Sequence, residues 1–424
     1  MIDRREWLRK VSLGTAGFAL APYSSLVNSL SAAEMAVSDI KITKIKIHRI
    51  VQKLEVPMGY CCSAEPFGKK AIATIVVEVE TDQGITGWGD AAWNDGSWGG
   101  DLLRKSPELV IGRSPFDVEA IYEEMGGHGR RVAEPGGLDT ALWDIVGKVL
   151  GKPISSIFGK QYRTRVMPYA SAGYRKDWPD MAAGFAEEAR YWTHEMGYRA
   201  TKMKTGYGPE TDVEIISAVR EAIGPRVKLG IDSGTPGIYD DGTAVGLGRQ
   251  LEALNLEFWE EPIEKYDLEG YARLKNALRV PLASGEGLPI DFVFKNYINR
   301  NTVDIVQPDI CTAGFTGAKK VNYAAWLNWT RVMPHTWGSP IRIAATMHWA
   351  ACIPQHSDRY LNPPPVLFEL HLPHESPAWE LTEKRIEVDK SDGMIAVPTG
   401  PGLGIEVIPE VLDKYRREEV EVIS

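Results

Sequence analysis

The sequence predicts an α/β fold: a modified, TIM-like (β/α)-barrel carrying an N-terminal α+β capping domain. Three observations predict it. From Arg165 onward, short apolar runs alternate with amphipathic helical stretches. The polar residues closing those runs are Lys204, Asp232, Glu260, Glu286, Asp309, His335 and Glu369, spaced 28, 28, 26, 23, 26 and 34 residues apart. Such a period holds a strand, a crossover helix and two loops, and six steps of it suggest a barrel of parallel strands. Before Arg165 the pattern is that of strands followed by a helix. An open doubly wound sheet shares the alternation, but no GxGxxG loop follows a strand here.

Taken in order, residues 1–36 read as a twin-arginine-type signal peptide. Arg4-Arg5 and neighbouring charges precede the apolar run Val11–Leu20, and small residues Ser29, Ser31, Ala32 and Ala33 follow. Export to the periplasm is therefore expected. No apolar run approaches the roughly 18 residues that span a bilayer, so no stable membrane insertion is expected after signal removal. Residues 37–160 read as the capping domain. Lys41–Ile47 alternates polar and apolar residues, Ala73–Val79 is rich in β-branched residues, and Thr81-Asp82-Gln83-Gly84 is a turn. Gly137–Leu150 is helical and ends at Gly151-Lys152-Pro153. Residues 161–390 form the barrel. The segment 391–424 reads as two short strands, at Met394–Pro398 and Gly402–Val407, returning to the cap.

Composition limits the function. The chain of 424 residues has a formal charge of −9, which argues against a general nucleic-acid binder. Cys61, Cys62, Cys311 and Cys352 include no CxxC pair, so neither a zinc ribbon nor a thioredoxin-type site is indicated, and reduced thiols are expected. HExxH is absent, which removes one zinc-hydrolase signature.

In such a barrel the active site lies at the C-terminal strand ends. Asp232, Glu260 and Glu286 close successive strands, and three converging carboxylates repel one another without a cation. Their hard oxygens suit Mg²⁺. Glu261 is sent the other way by strand alternation. Lys202 and Lys204 share a strand face, so Lys202 should depress the pKa of Lys204 and ready it as a base, while itself being placed to hold a substrate carboxylate. Asp309 and His335 close neighbouring strands, and a carboxylate beside the ring would orient it. Glu369, neutral or through its partners, is placed to steady an enolate oxygen.

This set resembles the mandelate racemase subgroup of the enolase superfamily. Gly137-Leu138-Asp139-Thr140-Ala141-Leu142-Trp143-Asp144-Ile145-Val146-Gly147-Lys148, Trp259-Glu260-Glu261-Pro262, Ser284-Gly285-Glu286 and Gln307-Pro308-Asp309 carry the likeness. The resemblance implies Asp232, Glu260 and Glu286 as Mg²⁺ ligands, Lys204 and the Asp309-paired His335 as opposed acid/base groups, and Glu369 as the enolate-stabilising residue. It implies removal of the proton alpha to a carboxylate through an enediolate. Pro334–Ser339 and Gly400–Ile405 look most like acid-sugar dehydratases and galactarolactone cycloisomerases. Dehydration of a sugar acid is the expectation. Cycloisomerisation of a lactone and racemisation of a 2-hydroxy acid are alternatives, and an exported non-catalytic sugar-acid binder is the alternative of another class. A homo-oligomer is expected. At Gly234 the family often has Asn. Tyr60, Trp93 and Trp98, in the loops Met58–Ser63 and Ala92–Trp98, are substrate-loop candidates.

Overall fold

The structure is a computed structural model that describes residues 40–58, 69–91, 104–126, 135–234, 237–371 and 380–424. Residues 1–36, expected to be a signal peptide, and Cys61, Cys62, Tyr60, Trp93 and Trp98 lie outside the described residues.

Strand alternation builds the cap. β1 (Ile42–Met58), β2 (Lys69–Thr81) and β3 (Thr86–Ala91) form an antiparallel sheet. Ile45 and Ile47 are buried. Lys44 and Lys46 turn the other way and meet their cross-strand partners Glu80 and Glu78 at 3.1 and 3.0 Å. Gly84, at φ +74°, makes the turn after Thr81. After α1 (Val118–Glu124) comes α2 (Gly136–Leu150), the helix of the long motif. It is buried on all sides over its first twelve residues, Gly136–Gly147, and this explains the motif's residues. Gly147 lies against the chain at Gly402, where a Cβ would sit 2.6 Å from the Gly402 Cα. Asp144 accepts from Trp88 N at 3.0 Å and Leu403 N at 2.8 Å, and pairs with Lys148 at 2.7 Å. The helix stops at Gly151 in the left-handed region.

The barrel follows as β4 (Arg165–Ser171), α3 (Met181–Arg190), β5 (Ala200–Lys204), α4 (Pro209–Ile223), β6 (Lys228–Asp232), α5 (Asp241–Leu251), β7 (Leu256–Glu260), α6 (Leu268–Ala277), β8 (Leu282–Ser284), β9 (Ile305–Val306), α7 (Ile310–Leu327), β10 (Arg331–Val332), α8 (Pro340–Cys352) and β11 (Leu367–His371). Side chains of Asp180, Asp240 and Asp267 accept from backbone amides to start α3, α5 and α6. The eight strands are parallel, in the order β10-β9-β8-β7-β6-β5-β4-β11. Glu369 N donates to Pro334 O at 3.1 Å and joins the two ends of that order.

The barrel's floor is apolar: Tyr169, Ala200, Phe258, Ala283, Ile305, Met333 and Leu367 pack together. Because residues two apart share a strand face, Ala200, Phe258, Met333 and Leu367 seat Lys202, Glu260, His335 and Glu369 one step nearer the mouth. The same periodicity supplies hydrophobic burial below and polar chemistry above.

The tail departs from expectation. β12 (Ile395–Ala396) pairs antiparallel with β4, a barrel strand. No strand forms over Gly402–Val407. Gly402 and Gly404 take φ of +67° and +65°, so the chain turns, which presents Leu403 N to Asp144. After α9 (Pro409–Tyr415), β13 (Glu421–Ile423) pairs antiparallel with β1.

Candidate active site

Strand register assembles the site. Lys204 pairs with Asp232, and Asp232 with Glu260, so three functional residues stand in one row across β5, β6 and β7. Gly234, at φ +68°, turns the chain so that its N–H donates to Asp232 Oδ1 at 2.6 Å. That conformation suits glycine and, next, asparagine. Gly234 therefore keeps the backbone that an Asn would adopt and gives up only its side chain.

Lys202 lies under this row, 1% exposed. Its ammonium contacts Glu260 Oε2 at 2.9 Å, Glu369 Oε1 at 2.9 Å and Asp232 Oδ2 at 3.1 Å. An ammonium has three N–H bonds, and three carboxylates take them. The Lys202 ammonium, expected to face a substrate carboxylate, is here engaged by these side chains. They also answer the charge that was expected to bear on Lys204. Burial alone would lower the Lys202 pKa, but these carboxylates carry it well above the ordinary value. The group is a fixed cation that lets buried acids sit together.

Lys204 Nζ bonds Asp232 Oδ2 and lies 5.4 Å from the centre of the Tyr174 ring. Burial pushes the Asp232 carboxyl up, yet Lys204 and Lys202 together hold it well below the usual range. Burial and the neighbouring Asp232 charge push Glu260 up to about 7. Glu260 Oε2 also accepts from Gln307 Nε2 at 2.8 Å. Gln307 was missed in the sequence reading, although it shares a face with Asp309 two residues on.

On the far side, His335 Nδ1 bonds Asp309 Oδ1, and Gly287 N holds the other Asp309 oxygen at 3.0 Å. Nε2 then points to Glu369 Oε2 at 3.2 Å and Glu286 Oε1 at 3.5 Å. Burial would lower the imidazole pKa, but Asp309, Glu286 and Glu369 outweigh it and push it up to about 10. Burial likewise tends to raise Glu369, while Lys202 and His335 hold it below its ordinary value. Of the two roles expected of Glu369, this direction favours the one played through its partners. Its cationic partners are the donors. Glu261 leaves the row with φ +45° and accepts from Ser284 Oγ at 3.1 Å. Burial and Glu286 push it up to about 8.

Two regions of the chain match known families. Residues 61–159 match the mandelate racemase/muconate lactonizing enzyme N-terminal domain, and residues 184–411 match the enolase C-terminal domain-like family. The chain belongs to the mandelate racemase/muconate lactonizing enzyme family. It is similar to D-galactarolactone cycloisomerase of Agrobacterium fabrum, 31% identical over 89% of this chain and 99% of that protein. It is similar to arabinonate dehydratase of Saccharolobus solfataricus, 31% identical over 81% of this chain and 90% of that one. Among solved structures it resembles the 3,6-anhydro-D-galactonate cycloisomerase of Zobellia galactanivorans, at 30% identity and a TM-score of 0.75, covering 89% of this chain and all of that one.

The Mg²⁺ implied by the enolase-superfamily likeness can be tested against the side chains. Glu260 Oε1 is buried with no hydrogen-bond partner, as a waiting ligand oxygen would be. The three acids at the ends of β6, β7 and β8 are all hard donors. Among the described residues, however, no three His, Cys, Asp or Glu side chains are gathered closely enough to hold an ion. Glu286, with its side chain 45% exposed, stands 3.5 Å from His335 Nε2. The donor set of three carboxylates fits the chemistry of the ion.

Proposed function

We propose that this protein removes the proton alpha to the carboxylate of a sugar acid and expels the beta hydroxyl as water, with Mg²⁺ as cofactor. One observation carries the reading: Lys204 and the Asp309-paired His335 reach the same carboxylate cluster from different sides of the barrel mouth. A bound Mg²⁺, held by Asp232, Glu260 and Glu286, would supply Lewis-acid stabilisation of negative charge on the substrate.

The protein groups then divide the proton work. Lys204 accepts the alpha proton. The electron pair left behind becomes the Cα–Cβ double bond as the Cβ–O bond breaks. His335 Nε2 gives its proton to the departing oxygen, which leaves as water. The enol that remains tautomerises to a 2-keto-3-deoxy acid. Lys202 and Glu369 keep the site's charge arrangement fixed while this happens. Apolar packing below the row excludes water from beneath.

Cycloisomerisation of a lactone is the second reading. It is favoured by the 99% coverage of the galactarolactone cycloisomerase, and it needs the same first proton transfer. Residues 1–36 support export of the enzyme, and the cycloisomerase and dehydratase relatives support a small-molecule sugar acid or its lactone as substrate.

The test is NMR in D₂O with Mg²⁺ and a panel of sugar acids and lactones, alongside Lys204→Ala and His335→Asn. Deuterium entering alpha to the carboxylate, or loss of water, should fall by about 10²–10⁴ in the variants. Absence of exchange with every compound, despite Mg²⁺ binding, would turn the assignment toward a binding protein.

A further inference from the structure

One buried ion pair touches both the cap and the segment that carries His335. Asp90, in β3, is 2% exposed, and Arg342, in the first turn of α8, is 5% exposed. Arg342 Nε donates to Asp90 Oδ1 at 3.0 Å, and Nη2 bonds the same oxygen. Nη2 also donates to Ala91 O at 3.0 Å and Thr74 Oγ1 at 3.3 Å. On the barrel side, Nη1 donates to Trp337 O, and Asp90 Oδ2 accepts from Ser339 N at 2.9 Å. The pair therefore grips the third and fifth residues of His335-Thr336-Trp337-Gly338-Ser339. Gly338 is pressed onto the guanidinium, where a Cβ would lie 2.5 Å from Nε. The Trp337 ring stands edge-on to Tyr174 at 5.5 Å, and Tyr174 faces Lys204.

A buried ion pair adds little net stability over well-packed apolar residues. Its contacts supply another reason for its presence. The carboxylate reaches the barrel loop, while the guanidinium reaches both that loop and the cap strand.

We propose that Asp90 and Arg342 are positioning residues that hold the His335 loop in register with the cap, so that the imidazole stands where proton transfer needs it. Neither touches the reacting atoms. The kinetic arm of the test rests on the proton-transfer reading above, and the spectroscopic arm does not.

Arg342→Lys keeps the charge beside Asp90 but loses the fork that also reaches Trp337 O. Asp90→Asn, of the same shape, serves as the second variant should Arg342→Lys fail to fold. The readouts are the melting temperature, the downfield NMR resonance of the His335 Nδ1 proton, and alpha-deuterium exchange from two sugar-acid epimers of opposite configuration, with which Lys204 and His335 exchange the roles of base and acid. Folding should be retained and the resonance should shift. Exchange from the epimer served by His335 should fall about 100-fold, the cost of roughly a 1 Å misplacement, while exchange from the epimer served by Lys204 stays within a few-fold. An unmoved resonance, or an equal fall with both epimers, would overturn the proposal. If the wild type exchanges neither epimer but the resonance still shifts, the positioning role stands and the proton-transfer reading falls.

Discussion

Replacing Lys202 by Met removes one positive charge from among Asp232, Glu260 and Glu369, all within 3.1 Å of it. The apolar stem survives, so packing changes little. Three buried acids lose their shared partner, and losing one partner of a buried pair costs about 3–5 kcal/mol. Unfolding entropy of about 2 cal/mol/K per residue, taken over Lys41–Ser424, amounts to about 0.8 kcal/mol/K. The expected fall in Tm is therefore about 4–6 °C, measured by calorimetry in EDTA at pH 7.5. Mg²⁺ should restore part of it. A cation that binds only the folded state stabilises by mass action, and with Lys202 gone it meets acids that have each lost a cation. Mg²⁺ should then raise the Tm of the variant more than that of the wild type. A fall below about 1 °C, or an equal Mg²⁺ response in both proteins, would refute Lys202 as the charge that keeps these acids together.

Three further predictions follow from the packing and the leader. Gly147→Ala should destabilise by about 1–3 kcal/mol in denaturant titration, because its Cβ meets backbone at Gly402 and not a movable side chain. His348 is fully buried, with Ser155 N at its Nδ1 and Leu403 O at its Nε2, and burial holds it down at about 4. Below pH 6.5 the unfolded chain takes up a proton that the folded chain refuses until about pH 4. Stability should therefore fall as pH drops through that window, by about 3 kcal/mol in all, and His348→Gln should flatten that part of the stability–pH curve. Residues 1–36 fused to a reporter should carry it to the periplasm, and Arg4→Lys/Arg5→Lys should retain it in the cytoplasm, as cell fractionation will tell.

Much of the site was legible because strand periodicity is simple. Each apolar run announced a strand, and the polar residue closing it fell at the mouth. Asp232, Glu260, Asp309, His335 and Glu369 all came together this way. What escaped depends on distances no spacing encodes. Lys202 reads as one half of a KxK pair, and nothing in that motif tells that three carboxylates consume its protons. The turn at Gly402 and Gly404 was taken for a strand, because alternating apolar residues look alike whether or not the intervening glycines adopt positive φ. Arg342 lies some 250 residues beyond Asp90 in the chain, and only the closed barrel brings them together. Gln307 was within reach of the two-residue rule.

The pairing of β13 with β1 has a consequence for how the cap sheet is completed. The first described strand takes one of its neighbours from Glu421–Ile423, far along the chain. Without that neighbour, Ile45–Ile47 presents an unpaired row of amides and carbonyls that could recruit another chain. Deleting Glu421–Ile423 would touch none of the residues gathered at the barrel mouth and would open a sheet edge. The defect would be recorded as aggregation.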